Sequence, residues 1–127
     1  MGSQQLLLLV LSFIAVSLMI FVGVNLYQDY VTQNNRDQII ATLNTLSDMV
    51  FTYYKKPVEM GGGGGEFSGW ELPPEFASTP TGTFRAHVNK NRVNILGTGI
   101  ETGENGNREV SVQAIINEKG THINIRN

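Results

Sequence analysis

Cysteine is absent from this 127-residue chain, which excludes disulfides and thiolate metal sites and leaves the redox compartment open. No Lys or Arg precedes the first apolar run, no charge interrupts residues 6–26, and the first ionised side chain is Asp29. No proline occurs before Pro57, and no Asn-x-Ser/Thr acceptor occurs anywhere. A formal net charge of −2 gives no broad basic field, which argues against general nucleic-acid binding. The missing basic flank is the most informative of these absences. A secretory signal has a positive start, an apolar stretch of about 7–15 residues and a small-residue cleavage site. Residues 1–5 carry no positive charge, and no clear A-x-A site follows the apolar run. Membrane anchors also use flanking basic residues to set their orientation. Either a basic leader once preceded Met1 and was removed, or the opening Met-Gly-Ser is an expression scar.

What the opening does contain is LLLLVLSFIAVSLMIFVGVNL. About 20 residues at 1.5 Å each match a hydrocarbon core of about 30 Å. About 15 Leu, Ile, Val and Phe side chains contribute roughly −5 to −9 kcal/mol to insertion, more than Ser12, Ser17, Gly23 and Asn25 oppose. This segment should insert into a membrane.

The helical pattern continues past that boundary. Ile39, Leu43, Leu46, Val50 and Tyr53 recur in steps of four and three, one stripe of an amphipathic helix, while Asp37, Asn44, Asp48 and Lys55 fall on other faces. Lys55 and Lys56 suit the negative end of the helix dipole, and Pro57 is a stop signal. The expectation is one helix over residues 3–56, with 1–28 apolar and 29–56 amphipathic. Phe51, Tyr53 and Tyr54 read as core packing. Residues 57–82 read as a Gly/Pro-rich connecting loop in which Gly61 to Gly65 preclude regular helix. Near Pro73 and Pro74, the large groups of Phe67, Trp70, Leu72 and Phe76 are placed to pin that loop onto a core.

Residues 83–127 alternate as strands do. Phe84, Ala86 and Val88 share a face, as do Val110, Val112, Ala114 and Ile116, and then Ile123 and Ile125. Turns are expected at Lys90-Asn91, over 102–107 and over 117–120, and Gly97 and Gly99 invite a bulge or close packing. The fold class is therefore α+β: a long helix whose second half packs against a four-stranded antiparallel meander.

Chemistry is sparse. His87 and His122 sit at polar strand positions without metal-ligand spacing. Glu101, Glu104 and Asn105 offer oxygens for calcium but lack the spacing of an EF-hand. The glycine run lacks the Gly-Lys-Ser/Thr ending of a phosphate loop, and no motif joins a nucleophile to a base. The sequence makes no case for an enzyme, a cofactor or a metal.

The succession of short polar start, uncharged apolar run, amphipathic helix, loop and small antiparallel sheet resembles a bacterial type IV pilin, and the pseudopilins of type II secretion are similar. The resemblance spans the chain in architecture and is motif-like only over the first 30 or so residues. It implies a leader cut by prepilin peptidase, with Met1 as the methylated new terminus; a rival register makes Ser3 the mature start. It also implies a filament core built from Gln4, Gln5, Leu6, Leu7, Leu8, Leu9, Phe13 and Gly23. The partners it implies are identical subunits, the cytoplasmic membrane before assembly, and the pilus assembly machinery. Three family features differ. Gln5 stands where pilins usually place Glu, Val22-Gly23-Val24-Asn25 replaces the helix-weakening proline, and no C-terminal disulfide loop can form.

Two functional expectations result. One is a structural subunit of an extracellular type IV pilus-like filament, held in the inner membrane before assembly, with a minor pilin or pseudopilin of a secretion system as a variant. The other is a single-pass membrane-anchored protein whose β domain binds a partner.

Overall fold

The computed structural model describes residues 2–103 and 105–127. Helix α1 spans Gly2–Lys55, one residue short of the expected end, and a single 3-10 turn follows at Val58–Met60. Next come α2 (Pro74–Ala77) and the strands β1 (Ser78–Thr79), β2 (Gly82–Val88), β3 (Arg92–Thr102), β4 (Glu109–Asn117) and β5 (Gly120–Ile125). The chain divides into two compact units, residues 1–31 and 32–127.

In the second unit the strands pair in sequence order, β1-β2-β3-β4-β5, all antiparallel. The class is α+β, and the meander has five strands rather than four. The extra strand, β1, is two residues long and lies inside the region read as loop. So short a segment has no alternation to detect; Ser78↔Thr83 and Thr79↔Gly82 define it only once β2 is in place.

The core lies between the second half of α1 and one face of the sheet. Ile39, Leu43, Leu46 and Val50 are fully buried with Val93, Ile95, Val110, Val112, Ala114 and Ile116. Phe67 and Trp70 join them from the connecting segment, with Leu72 and Phe76 packed alongside. The stripe is therefore covered by the alternating faces of β3 and β4. Ile123 and Ile125 divide: Ile123 packs against the core, whereas Ile125 is 55% exposed near the end of the outermost strand.

The glycine run is a built structure. A helix end leaves its last carbonyls without intrahelical donors. Gly63 N donates to Tyr53 O at 2.8 Å, Gly65 N to Tyr54 O at 2.9 Å, and Gly64 N to Lys56 O at 2.9 Å. Gly61 N and Gly62 N donate to Val58 O and Pro57 O, both at 3.0 Å. Gly61, Gly64 and Gly65 have φ of 84°, 59° and 93°, which favours glycine strongly. A Cβ on Gly63 would lie 2.8 Å from Tyr53 Cε1 and collide with Glu66 O. The loop caps α1 by folding back over its last turn.

If the covered stripe holds the head together, Leu43→Ala or Leu46→Ala costs roughly 2–5 kcal/mol, the range for truncating a fully buried leucine. Urea unfolding of a fragment beginning at Asp29 measures it; a midpoint unchanged from wild type would mean that the contact between helix and sheet contributes nothing.

Candidate assembly surface

The first unit is a helix without an inward face. Every described residue from Gly2 to Tyr30 is exposed, including all the large apolar side chains of 6–26. A helix that is apolar on all sides requires an apolar surrounding: lipid or other helices. Its hydroxyls do not oppose this, because Ser12 Oγ donates to Leu8 O and Ser17 Oγ to Phe13 O, both at 2.8 Å. Each hydroxyl is thus satisfied within its own helix. Leu9, Ser12, Phe13 and Val16 outline a shallow hollow of about 240 Å³. A Cβ on Gly23 would meet no heavy atom within 4 Å. This helix is long and apolar enough to cross a membrane.

Gln4 and Gln5 lie in the first turns, exposed, and neither side chain hydrogen-bonds to a described residue. Leu6, Leu7, Leu8 and Leu9 occupy consecutive positions and so point around the helix, with Phe13 one turn beyond Leu9. These residues form a surface around one helix rather than a pocket. Met1, the expected processing site, and Glu104, one of the possible calcium ligands, lie outside the described residues.

In the head, Ile39, Leu43, Leu46 and Val50 occupy the core, and Tyr53 differs from them. Tyr53 is partly buried, and its hydroxyl donates to Ser68 O at 2.8 Å, tying the last turn of α1 to the connecting segment. Tyr54 stacks on Phe67, with ring centroids 4.5 Å apart and planes 23° from parallel.

No sequence pattern points to Asn35. It is 4% exposed, and its side chain makes three hydrogen bonds to backbone. Its Nδ2 donates to Thr81 O at 2.8 Å, and its Oδ1 accepts from Ile100 N at 3.1 Å and Glu101 N at 3.3 Å. Those two amides lie where β3 slips register against β4, between Thr98 and Thr102. A bulge leaves backbone groups without ladder partners, and the carboxamide supplies what the ladder does not. Gly99 makes the approach possible, since a Cβ there would collide with Asn35 Oδ1. Arg36 is also largely buried beside it.

The phosphate and histidine readings find no geometry among the described residues. All five amides of the glycine run are bonded to carbonyls, so the run has no N–H set to offer a phosphate. His87 and His122 lie on β2 and β5, separated in the sheet by Asn94 and Ile115. Among the described residues no three His, Cys, Asp or Glu side chains group as a metal site. One open groove on the head, of about 540 Å³, is lined by polar side chains that include Arg108, Ser111 and Arg126.

No family model matches the chain, and no curated protein or solved structure matches it. The architecture itself, a long N-terminal apolar helix followed by an antiparallel sheet, is compatible with a pilin-like fold.

Asn35→Ala removes one acceptor that serves two backbone amides through partly buried hydrogen bonds. The expected loss is about 0.5–1.5 kcal/mol per bond. Hydrogen exchange should quicken first at the Ile100 and Glu101 amides, and unchanged exchange there would show that water replaces the carboxamide without loss.

Proposed function

We propose that the protein is a structural subunit of an extracellular type IV pilus-like filament, assembled through its N-terminal apolar helix. The observation that supports this reading most is the contrast within α1. Its first half has no buried residue, whereas its second half buries Ile39, Leu43, Leu46 and Val50 against a sheet of the same chain. One half is complete in a monomer, and the other requires a surrounding. In this reading lipid provides it before assembly and neighbouring helices provide it afterwards. Lipid tails are about as apolar as leucine, so the exchange gains little from hydrophobicity. Close packing and the assembly machinery supply the rest.

Gln4 and Gln5 would lie at the start of each buried helix, where a neighbour's terminal amine is the natural partner. Glutamine accepts a hydrogen bond from an ammonium but brings no charge to it. That neutral side chain is also what favours a second reading, a single-pass anchor bearing a partner-binding β domain, since an anchor needs no buried carboxylate. Intact-mass measurement of the native protein separates the two. A leader-processed, methylated first residue supports the filament subunit, and an unprocessed start supports the anchor.

Insertion or assembly should be impaired by Leu8→Lys, because a lysine in an apolar helix costs up to roughly 2.5–3.5 kcal/mol at its centre on the insertion scale and less toward an end, where Leu8 lies. The yield of sheared filaments from cells is the measurement, and a normal yield contradicts a buried apolar core.

Position 5 gives a finer test of the filament reading. Gln5→Leu removes one neutral hydrogen-bonding group, worth about 0.5–1.5 kcal/mol per bond, so yield should fall without vanishing. Gln5→Glu should be tolerated if an amine is near, since an unpaired carboxylate in an apolar core is costly. Abolition by Gln5→Glu together with normal yield from Gln5→Leu would show that this position faces no amine.

A further inference from the structure

Strand β5 ends the sheet, and among the described residues only its β4 side is paired. The bonds at its end show which of its backbone groups are used. Arg126 N and Asn127 N both donate to Ser111 O, at 2.8 and 3.1 Å, and Ser111 N donates to Asn127 O at 3.3 Å. Two residues thus oppose one in a bulge that terminates the strand. Along an antiparallel strand the N–H and C=O of one residue point to the same side, and the sides alternate. Counting back from Arg126, the groups of Asn124 and His122 face β4, opposite Gln113 and Ile115. Those of Thr121, Ile123 and Ile125 face outward.

Exposed sheet edges are normally guarded by charge, proline, a bulge or a covering element. The other end of this sheet is guarded: β1 pairs with the start of β2, α2 packs beside both, and Arg85 stands in the middle of β2. Between the turn that opens it and the bulge that ends it, strand β5 has no such protection. GTHINI contains no Lys, Arg, Asp, Glu or Pro, and its Thr121, His122, Asn124 and Ile125 side chains are exposed.

We propose that the free edge of β5 docks β5 of a second copy of this chain, antiparallel about Ile123. The strand is self-complementary in that register. Thr121 meets the second copy's Ile125, and Ile123 meets its own counterpart. Each of these outward pairs exchanges two backbone bonds, so every free group on the edge is used. β-Branched side chains face one another on one side of the sheet, while His122 meets Asn124 on the other. At the flanks, Arg126 meets Gly120 and Lys119 meets Asn127, so no like charges are opposed. The contact is isologous, with its two-fold axis perpendicular to the sheet, and the two head helices run in opposite directions on one face. Subunits of a single filament share one polarity, so in a filament this contact joins separate filaments. A short edge is weak alone and gains strength by repetition.

The absence of cysteine makes the test clean, because the only thiols present are the ones introduced. Full-length protein in detergent micelles carries Ile123→Cys, or as control His87→Cys on β2, in the part of that strand beyond its pairing with β1, and is oxidised mildly. The expected result is several-fold more disulfide-linked dimer from Ile123→Cys on a non-reducing gel. Adding Ile125→Pro removes an outward N–H without breaking a bond to β4, and should return the yield to the control level. The doubly substituted Thr121→Cys/Ile125→Cys chain, altered at two exposed sites, should cross-link likewise and covers the case in which Ile123→Cys does not fold. Association through the apolar helices would raise Ile123→Cys and His87→Cys alike. Equal yields from both edges, or a yield indifferent to Ile125→Pro, would overturn the proposal. The readout needs no filament, so its failure is separate from that of the filament reading.

Discussion

The head depends on how closely α1 approaches β3, and that approach is set by side chains that are missing. Gly97 and Gly99 both face the helix. A Cβ on Gly97 would lie 2.6 Å from Ile39 Cγ2 and 2.9 Å from Phe84 Cε1, and one on Gly99 would strike Asn35 Oδ1. Gly82, the register partner of Gly99, adds to the same hollow, since a Cβ there would come within 2.9 Å of Ile39 Cδ1. Ile39 therefore seats against bare backbone. Four residues earlier, one turn along the same helical face, Asn35 reaches the bulge. Were the helix held further out, Ile39 would leave a void and the Ile100 and Glu101 amides would lose their acceptor. Apolar packing and polar satisfaction are thus conditions on one distance.

The two halves of α1 are built on opposite logic. In the second half an apolar stripe is matched by a sheet, and Asp37, Asn44, Asp48 and Lys55 are exposed. In the first half there is no stripe, because there is no polar face to contrast with it. The serines at positions 12 and 17 return their hydroxyls to their own helix. A side chain that satisfies itself places no demand on its surroundings, which keeps this surface compatible with lipid and with another helix.

Much of this was legible in the sequence, for physical reasons. The spacing of Ile39, Leu43, Leu46 and Val50 follows from helical periodicity, and the alternation of β2, β3 and β4 follows from the pleat. Gly97 and Gly99 declared a bulge or a close approach, and the structure has both. Asn35 was not legible: a polar residue on an amphipathic helix reads as solvated unless its backbone partners, about 45 and 65 residues further on, are already known. The high entropy of the glycine run describes the unfolded chain; its role as a cap depends on carbonyls that lack donors only once the helix has formed. Strand β1 was too short to have a pattern. Of the candidate assembly surface, composition revealed the extent, because apolarity on every side leaves no register to detect.

The order of the strands has a consequence for the time at which the core becomes complete. Each strand pairs with its neighbour in sequence, so the sheet can grow hairpin by hairpin as the chain emerges. The helix cannot wait in that manner. Its stripe at Ile39 to Val50 is made first, whereas Val110, Val112, Ala114 and Ile116, which cover it, arrive about 70 residues later. At about 5–20 residues per second, that leaves the leucines of the stripe uncovered for several seconds in every copy. Throughout that interval the nascent chain displays two apolar surfaces in tandem, one destined for its own sheet and one not. The glycine cap, made of residues that follow directly after the helix, is the first tertiary structure available to distinguish them.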